Sequence, residues 1–373
     1  MTVVIFLGIL GILVLVHELG HFLAARAIGV GVEEFGLGFP PRLVGWFKNR
    51  HGHWKLLKKK HHHPRHTIFS INLIPLGGFV KLRGEDGVSR PRDHTSFANK
   101  TVGERAIIII SGVLMNVVLP MIIFSLGFMI GWPQATEDLD PGARVKNPEL
   151  MIAEVVPNSP ASRAGLEPGD AIIEINGQPA RSAAELRQIN AAAAGQEVNY
   201  KIRRSSEILE LSIAAEQLAS NNNDYSLGVA LVESGLVSYA WPRAIWEGIK
   251  LTALSLKDIA VGFWQLFTGL FNGQDISGDV AGPVGIAVLV GQISHLGWIY
   301  LLQFIALLSL NLAFINILPF PALDGGRLFF IGLEAITRHP AKAELEALIH
   351  SIGFVLLLAL VALITIKDIA KLF

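Results

Sequence analysis

Four long apolar segments constrain the fold of this chain more than any other feature of its sequence. Each is close to the length of about 20 residues that an α-helix needs to cross the apolar core of a bilayer. The segments cover residues 2–28, 106–132, 298–318 and 347–366. Hydrophobic residues make up 51% of the 373 residues and charged residues only 17%, compared with about 25% charged residues in soluble proteins. We therefore predict a polytopic α-helical membrane protein with about four transmembrane helices.

Composition also narrows the functions to which the chain is suited. Lys and Arg together number 31, as do Asp and Glu, so the net charge gives no reason to expect a nucleic-acid partner. The chain has no cysteine, which excludes disulfides and thiolate metal sites. A weaker apolar stretch, residues 244–271, mixes Trp246 and Trp264 with charged side chains. We predict amphipathic helices at the membrane surface there.

The charges of the loops predict the orientation of the chain in the membrane. Residues 31–104, between the first two apolar segments, carry an excess of Lys and Arg, whereas residues 133–250 carry an excess of Asp and Glu. Basic loops tend to stay on the cytoplasmic side of a membrane. We therefore expect the first loop to be cytoplasmic and the second to be extracytoplasmic.

The acidic loop contains a small β-rich domain, which we place at residues 136–219. Short runs of alternating apolar and polar residues, such as DAIIEING and VNYKIRR, predict β-strands, and Ser182 is suited to begin a short helix. The stretch VPNSPASRAGLEPGDAIIEINGQPARSAAEL resembles PDZ domains, in which AGLEPGD forms a turn before a core strand and NG forms a hairpin. PDZ domains bind peptides by adding a strand to a sheet edge. A role as a spacer or steric filter is the alternative.

Three ionisable residues lie within five positions of the first apolar segment, in the sequence HELGH. That segment lacks the basic start and the cleavage site of a signal peptide, so we interpret it as a transmembrane helix. His17 and His21 are four residues apart, so they lie on one face of a helix and can share a metal ion. Glu18 lies beside that face, placed to act on water rather than to bind the metal. Only a metal ion or a polar cavity would offset the desolvation of three such groups, and we predict a metal site.

A third protein ligand is expected, because catalytic zinc sites usually have three. Asp324, in the sequence NILPFPALDGG, is an ionisable residue at the end of the third apolar segment. Two prolines interrupt the helix before it and two glycines follow it, and irregular backbone at membrane depth occurs where it is buried in protein or lines a cavity. Asp324 is also suited to cap the following helix, but capping alone would not explain these neighbours.

At these residues the sequence resembles the site-2 protease family of intramembrane zinc metalloproteases, and in particular its bacterial regulator-of-sigma-E type. The resemblance covers most of the chain. HELGH and NILPFPALDGG match the two chemical motifs of that family, and NLIPLGGFVKLRGED (Asn72–Asp86) resembles its membrane-associated β-hairpin loop. RAIIIISGVLMNVVLP, which includes Gly112 and Asn116, resembles its second span, and GPVGIA (Gly282–Ala287) resembles the segment before its third span.

The resemblance implies a Zn²⁺ ion held by His17, His21 and Asp324, with Glu18 as the general base. It implies that the unwound substrate joins the hairpin as an added strand while an asparagine holds the substrate backbone. The residues expected to bind the substrate in this way are Asn316, Phe79, Val80 and Lys81. The chain differs from relatives with two PDZ domains, because it has room for only one.

The expected function is hydrolysis of peptide bonds within transmembrane segments, in regulated intramembrane proteolysis that follows a first cut by another protease. The expected substrates resemble anti-sigma factors or signal peptides, and no nucleic acid is expected. The expected location is the inner (plasma) membrane, with the active site towards the cytoplasm and the PDZ domain outside. A membrane metal transporter and a non-catalytic PDZ scaffold are the alternatives.

The chain is thus expected to have four parts. A first membrane core covers residues 1–135, the PDZ domain 136–219, interfacial helices 220–295 and a second membrane core 296–373. Within the first part, the insert WFKNRHGHWKLLKKKHHHPRH (Trp46–His66) is interpreted as a basic loop held near anionic headgroups. A second metal site at His61, His62, His63 and His66 is the alternative.

Overall fold

The computed structural model describes most of the chain. The described residues are 1–49, 51–57, 66–85, 93–136, 139–140, 142–180, 182–204, 207–217, 225–273, 281–339 and 342–371. The chain divides into two compact units. A membrane unit consists of residues 1–123, 249–294 and 301–373, and a β-rich unit consists of residues 124–248 and 295–300.

The helices and strands are numbered in chain order. The helices are α1 Thr2–Ile28, α2 Val102–Ile130, α3 Pro160–Arg163, α4 Ala183–Ala193, α5 Trp241–Phe271, α6 Pro283–Leu296, α7 Trp298–Ile317, α8 Asp324–Thr337 and α9 Ala343–Ala370. The strands are β1 Val32–Lys48, β2 Trp54–Leu56, β3 Ile68–Leu82, β4 Trp132–Ala135, β5 Arg144–Val155, β6 Ala171–Ile175, β7 Gln178–Pro179, β8 Glu197–Arg204, β9 Glu207–Ala214, β10 Glu216–Gln217, β11 Tyr225–Ser226 and β12 Val229–Ser238.

Four helices in the described part of the chain are long and apolar enough to cross a membrane, which confirms the predicted spans. They are α1, α2, α7 and α9, and they contain 27, 29, 20 and 28 residues. The chain leaves α1 through Gly29, whose φ of 81° lies in the left-handed region that favours glycine. The N–H of Val30 then donates to the carbonyl of Ala25, and this turn leads directly into β1.

The sheet of the membrane unit contains β2, β1 and β3 in that order. The pairings are antiparallel, except that residues 34–37 of β1 run parallel to residues 68–71 of β3. It is larger than the predicted hairpin, because both long strands fold back on themselves. Phe35 of β1 pairs with Val80 on one side and with Phe69 on the other. The last segment of β3, Gly78–Leu82, therefore forms an edge, and no described strand pairs with its outer side. We call this segment the edge strand.

The β-rich unit has the architecture expected from the predicted PDZ domain. Its antiparallel sheet has the order β4, β12, β5, β6, β8, β9, and β7 pairs with β6. Ser182 begins α4 as predicted, since its hydroxyl accepts a hydrogen bond from the N–H of Glu185 at 3.1 Å. The predicted NG hairpin joins β6 to β7, with positive φ at both Asn176 and Gly177.

The core of this unit lies between the sheet and α4. Its fully buried members include Leu150, Ile152, Ile172, Tyr200 and Ile202. The hydroxyl of Tyr200 donates to the side-chain oxygen of Asn190 on α4. Burial raises the pKa of Tyr200 to about 12, so the hydroxyl remains a neutral donor at physiological pH.

Two elements differ from the predicted boundaries. Residues 229–238 form β12, which lies in the sheet between β4 and β5, although helices were predicted from residue 220 onward. The sequence of β12, VALVESGLVS, does not alternate regularly between apolar and polar residues, so the pattern that predicted the other strands did not identify it. The amphipathic stretch is one continuous helix of 31 residues, α5, rather than several.

Candidate metal centre

Two histidines of α1 lie side by side within the membrane unit. His17 and His21 are each 8% exposed, and their rings meet edge to face with centroids 4.8 Å apart. The helical spacing of four residues places both rings on the same face of α1, as the sequence predicted. The preceding turns of α1, residues 3–16, are entirely apolar, so the histidines follow a segment that is suited to lipid and to apolar packing.

The turn formed by the sequence PFPALDGG places Asp324 next to these histidines. Helix α7 ends at Ile317, and α8 begins at Asp324 itself after a short turn in which Ala322 has a φ of 77°. Gly325 is required by close packing, since a Cβ atom there would lie 2.1 Å from the carbonyl oxygen of Leu318. Leu323 occupies the N-cap position, so the alternative role of Asp324 as a helix cap is not supported. Its carboxylate instead faces the histidines.

Three side-chain atoms converge at this point. His17 Nε2 lies 3.1 Å from Asp324 Oδ2, and His21 Nε2 lies 3.3 Å from the same oxygen. The two Nε2 atoms are 3.2 Å apart. A tetrahedral zinc ion with bonds of about 2.0–2.2 Å separates its ligand atoms by about 3.3–3.6 Å. The donor set therefore fits zinc in both chemistry and spacing, and it is the one cluster of three His, Asp or Glu residues with converging ligand atoms in the described part of the chain.

Helix α2 supports the two histidines from behind. His21 Nδ1 lies 2.9 Å from the carbonyl oxygen of Ile108, and His17 Nδ1 lies 3.4 Å from the side-chain amide of Asn116. Gly112, halfway between them, leaves room for the His21 ring, because a Cβ atom there would lie 2.3 Å from His21 Nε2. Residues 108, 112 and 116 are spaced by four and so form one stripe along α2.

Glu18 lies between the metal centre and the edge strand. A Cβ atom placed on Gly78 would be 3.5 Å from Glu18 Cγ and 3.2 Å from a methyl group of Val14. The first residue of the edge strand thus packs directly against the turn of α1 that carries Glu18. The side chain of Glu18 therefore lies next to the edge strand.

The backbone of the edge strand presents alternate residues outward. The N–H of Arg83 donates to the carbonyl of Gly31, towards the body of the sheet. The backbone N–H of Leu82 points away from the body of the sheet, and it donates to Glu85 Oε2 at 3.1 Å. By the alternation of a strand, Val80 and Gly78 also direct their N–H and C=O groups outward. No strand in the described part of the chain pairs with these groups.

Two ion pairs hold α8, the helix that begins with Asp324. Arg327 donates to Glu85 Oε1, so the same carboxylate that accepts from Leu82 also binds α8. Nearer the other end of α8, Glu334 accepts from Arg105 of α2 at 2.5 Å. The metal centre, the edge strand and α2 are thus connected through α8.

The residues that the sequence predicted to bind the substrate have different surroundings. Val80 packs against the apolar cluster that contains Ala25 and Ile108, and Lys81 forms an ion pair with Glu33 at 3.3 Å. Phe79 packs on the opposite face of the strand, where a Cβ atom on Gly36 would collide with its ring. Asn316, in the last turn of α7, is partly buried, and its side chain makes no hydrogen bond with the described residues.

The sequence missed the contacts that surround the metal centre. Ile108 acts through a backbone carbonyl, which no sequence pattern reveals, and the ion pair of Glu85 with Arg327 joins residues that are 242 positions apart. The opposite charges of Arg327, which follows the two glycines of LDGGR, and of Glu85, in the sequence GED, were the signal from which this ion pair could have been predicted. Of the histidine-rich insert, His61, His62 and His63 lie outside the described residues.

Comparison with known proteins gives consistent matches across the chain. The model of Peptidase family M50 matches residues 5–360. A Clostridium perfringens protein named "Putative zinc metalloprotease" is 34% identical over 96% of this chain and 95% of its own length. The zinc metalloprotease RasP of Geobacillus kaustophilus is 29% identical over 100% of this chain and 98% of its own length. The PDZ domain of an SdrC-like protein from Listeria innocua is 26% identical over 22% of this chain and 92% of that structure, with a TM-score of 0.20.

Proposed function

We propose that His17, His21 and Asp324 hold the zinc ion of this protein and that Glu18 is its general base. The chain belongs to Peptidase family M50 and is an intramembrane zinc metalloprotease. The observation that carries this assignment is the triangle of two Nε2 atoms and one carboxylate oxygen, with sides of 3.1–3.3 Å. Membership of a peptidase family favours this function over a metal transporter or a non-catalytic scaffold.

The chemistry requires a base close to the metal ion and to the substrate. Zinc, when bound, supplies Lewis-acid activation of water and of the scissile carbonyl. Glu18 takes a proton from the attacking water and delivers it to the leaving nitrogen of the peptide bond. Its place beside Gly78 supports this role, because a substrate strand paired at that point would run past the carboxylate.

The substrate must be extended before it can be cut. Within a transmembrane helix the peptide groups are hydrogen-bonded to each other, so an unwound segment needs new partners. The outward groups of Gly78 and Val80 supply them by strand addition. Phe79 lies between these residues and Lys81 follows them, and Asn316 supplies a side-chain amide that makes no hydrogen bond with the described residues and is suited to bind the substrate backbone. We assign substrate binding to Asn316, Phe79, Val80 and Lys81 on this basis.

The proposed ligand set predicts a simple pattern of zinc content. His17→Ala, His21→Ala and Asp324→Ala should each lower the zinc bound to the detergent-purified protein, because each removes one of three ligands. Peptide-bond cleavage should fall in parallel, and a chelator should reproduce the loss in the wild-type protein. Metal analysis and a cleavage assay on the same samples measure both quantities. Full zinc stoichiometry in the Asp324 variant would remove that residue from the ligand set.

Proline at position 80 tests strand addition. Val80→Pro removes an outward N–H without removing a bond to β1, so cleavage should fall at least tenfold while zinc content stays the same. Val80→Ala is the matched control, because it loses similar packing but keeps the N–H, and it should retain most of the activity. Equal turnover in the proline and alanine variants would contradict substrate binding at this edge.

The placement of the chain in the cell is also part of the proposal. The basic loop between the first two spans supports an inner-membrane location with the metal centre towards the cytoplasm. The same rule places the PDZ domain outside. The expected substrates are single membrane segments that resemble anti-sigma factors or signal peptides, and cleavage would follow a first cut outside the membrane by another protease.

The PDZ domain is proposed to act as a size filter. The domain is connected to the apolar helix α2 on one side and to the amphipathic helix α5 on the other, so it is tethered close to the membrane. A tethered domain obstructs substrates with folded external parts and leaves trimmed ones unaffected. Recruitment of substrates through a peptide groove is the second candidate role, and it is favoured by the strand-adding property of PDZ domains.

A further inference from the structure

Asn116 lies on α2 directly behind His17, and it has no part in the roles assigned above. Its side chain is 0% exposed, and its Nδ2 atom is 3.4 Å from His17 Nδ1. Its Oδ1 atom is buried and has no hydrogen-bond partner among the described residues. A buried amide oxygen without a donor is costly, so its neighbourhood indicates which donor belongs there.

The ring nitrogen that faces the other ligands decides where His17 carries its proton. His17 Nε2 converges with His21 Nε2 and Asp324 Oδ2, so Nε2 must keep its lone pair free in order to bind a metal ion. A neutral imidazole has one N–H, and the proton must then be on Nδ1. A donor on Nδ1 needs an acceptor, whereas the side-chain atom that lies within hydrogen-bond distance of it is the donor Nδ2 of Asn116.

A half-turn of the Asn116 amide resolves this conflict. Rotation about the Cβ–Cγ bond exchanges the positions of Oδ1 and Nδ2, which have nearly the same size. Oδ1 then faces His17 Nδ1 and accepts its proton. The orphaned oxygen obtains a donor, and His17 is fixed in the form whose Nε2 can bind metal.

The neighbouring histidine already has this arrangement. His21 Nδ1 lies 2.9 Å from the carbonyl oxygen of Ile108, a fixed acceptor that lies eight residues before Asn116 on the same stripe of α2. Ring nitrogens of metal-binding histidines almost always donate to such an acceptor. The backbone of Asn116 is itself held, because the hydroxyl of Ser309 on α7 donates to its carbonyl at 2.8 Å.

We infer that Asn116 is a positioning residue that accepts the Nδ1–H of His17 and so presents His17 Nε2 to zinc. This inference rests on the proposed role of His17 as a ligand. It assigns α2 a task beyond packing, since both histidines of α1 take their tautomer from this one helix.

Substitutions that differ only in the acceptor test the inference. Asn116→Leu keeps the branching at Cγ but has no acceptor, and Asn116→Asp has the same shape with an oxygen in place. Zinc affinity of the full-length protein, measured in detergent by competition with a chelator, should fall about 10–100-fold for the leucine variant. It should stay within about threefold of wild type for the aspartate variant. If the leucine variant does not fold, Asn116→Ala replaces it in the same comparison.

Two further measurements separate positioning from structural support. The thermal midpoint of the zinc-free protein should be similar for the leucine and aspartate variants. Ser111→Ala, which removes a hydroxyl bonded within α2 to Ile107, should leave zinc affinity unchanged. Wild-type affinity in the leucine variant, or equal losses in the leucine and aspartate variants, would overturn the inference. Zinc retained by His17→Ala would instead overturn the proposed ligand set.

Discussion

Replacing Glu18 by glutamine is expected to abolish peptide-bond cleavage while zinc remains bound at full stoichiometry. Glutamine has the same shape as glutamate, but it cannot take a proton from water or deliver one to the leaving nitrogen. General acid–base catalysis contributes roughly 10²–10⁴-fold to rate, so turnover of a transmembrane substrate should fall by at least that factor. The three ligand atoms belong to other residues, and metal analysis should therefore give the wild-type value.

The same substitution at another glutamate provides the control. Glu104 lies at the start of α2, where its carboxylate accepts from the N–H and hydroxyl of Thr101. Glu104→Gln keeps an oxygen acceptor at that cap, and we expect it to retain wild-type activity. Cleavage by the Glu18 variant at more than a tenth of the wild-type rate would show that another group acts as the base.

Removing the PDZ domain is expected to open the enzyme to substrates that it otherwise rejects. The structure shows where to cut, because Pro133 pairs with Leu236 across β4 and β12, and paired residues of a sheet lie about 5 Å apart. Residues 134–235 can thus be replaced by an Asn-Gly turn. A cut at residue 219 would instead leave β12 without its neighbour β5.

The filter and the recruitment roles differ in the outcome of this deletion. A filter predicts that a transmembrane substrate with a folded external domain changes from uncut to cut, while the same segment without that domain is cut at the wild-type rate. Recruitment predicts slower cleavage of both substrates, chiefly through a raised KM. Insertion of an unrelated folded domain of similar size between residues 133 and 236 serves as the control. It should restore rejection if bulk is what matters, and failure to do so would contradict the filter.

The parts of the centre that follow from the cost of burying charge were predictable from the sequence. His17, Glu18, His21 and Asp324 are conspicuous because apolar segments do not otherwise tolerate such residues. The same physics fixed the four spans, since length and hydropathy alone identify them. The domain fold followed from alternating patterns and from turn residues such as Asn176 and Gly177.

The contacts that complete the centre were not predictable, because they depend on which helix faces which. The pairing of His21 with the carbonyl of Ile108 joins residues 87 positions apart, and any apolar residue supplies that carbonyl equally well. The sequence also did not show that β1 and β3 each fold back on themselves. A period of two residues is the same whether a strand continues or folds back on itself.

Glu85, which binds both Arg327 and the N–H of Leu82, limits how far a substrate could pair along the edge strand, and this has a consequence for how much the substrate has to stretch. Because Glu85 already accepts from the N–H of Leu82, the proposed pairing of a substrate along the edge strand would stop at Val80, and the added strand would extend over about four residues. A residue advances 1.5 Å in a helix and about 3.3 Å in a strand, so this stretch would lengthen the substrate by about 7 Å. A segment whose two ends are anchored at the membrane surfaces has to find that slack by changing its tilt or by drawing an anchor inward. Susceptibility to cleavage would then depend on the hydrophobic length and anchoring of the substrate as well as on the residues around the cut.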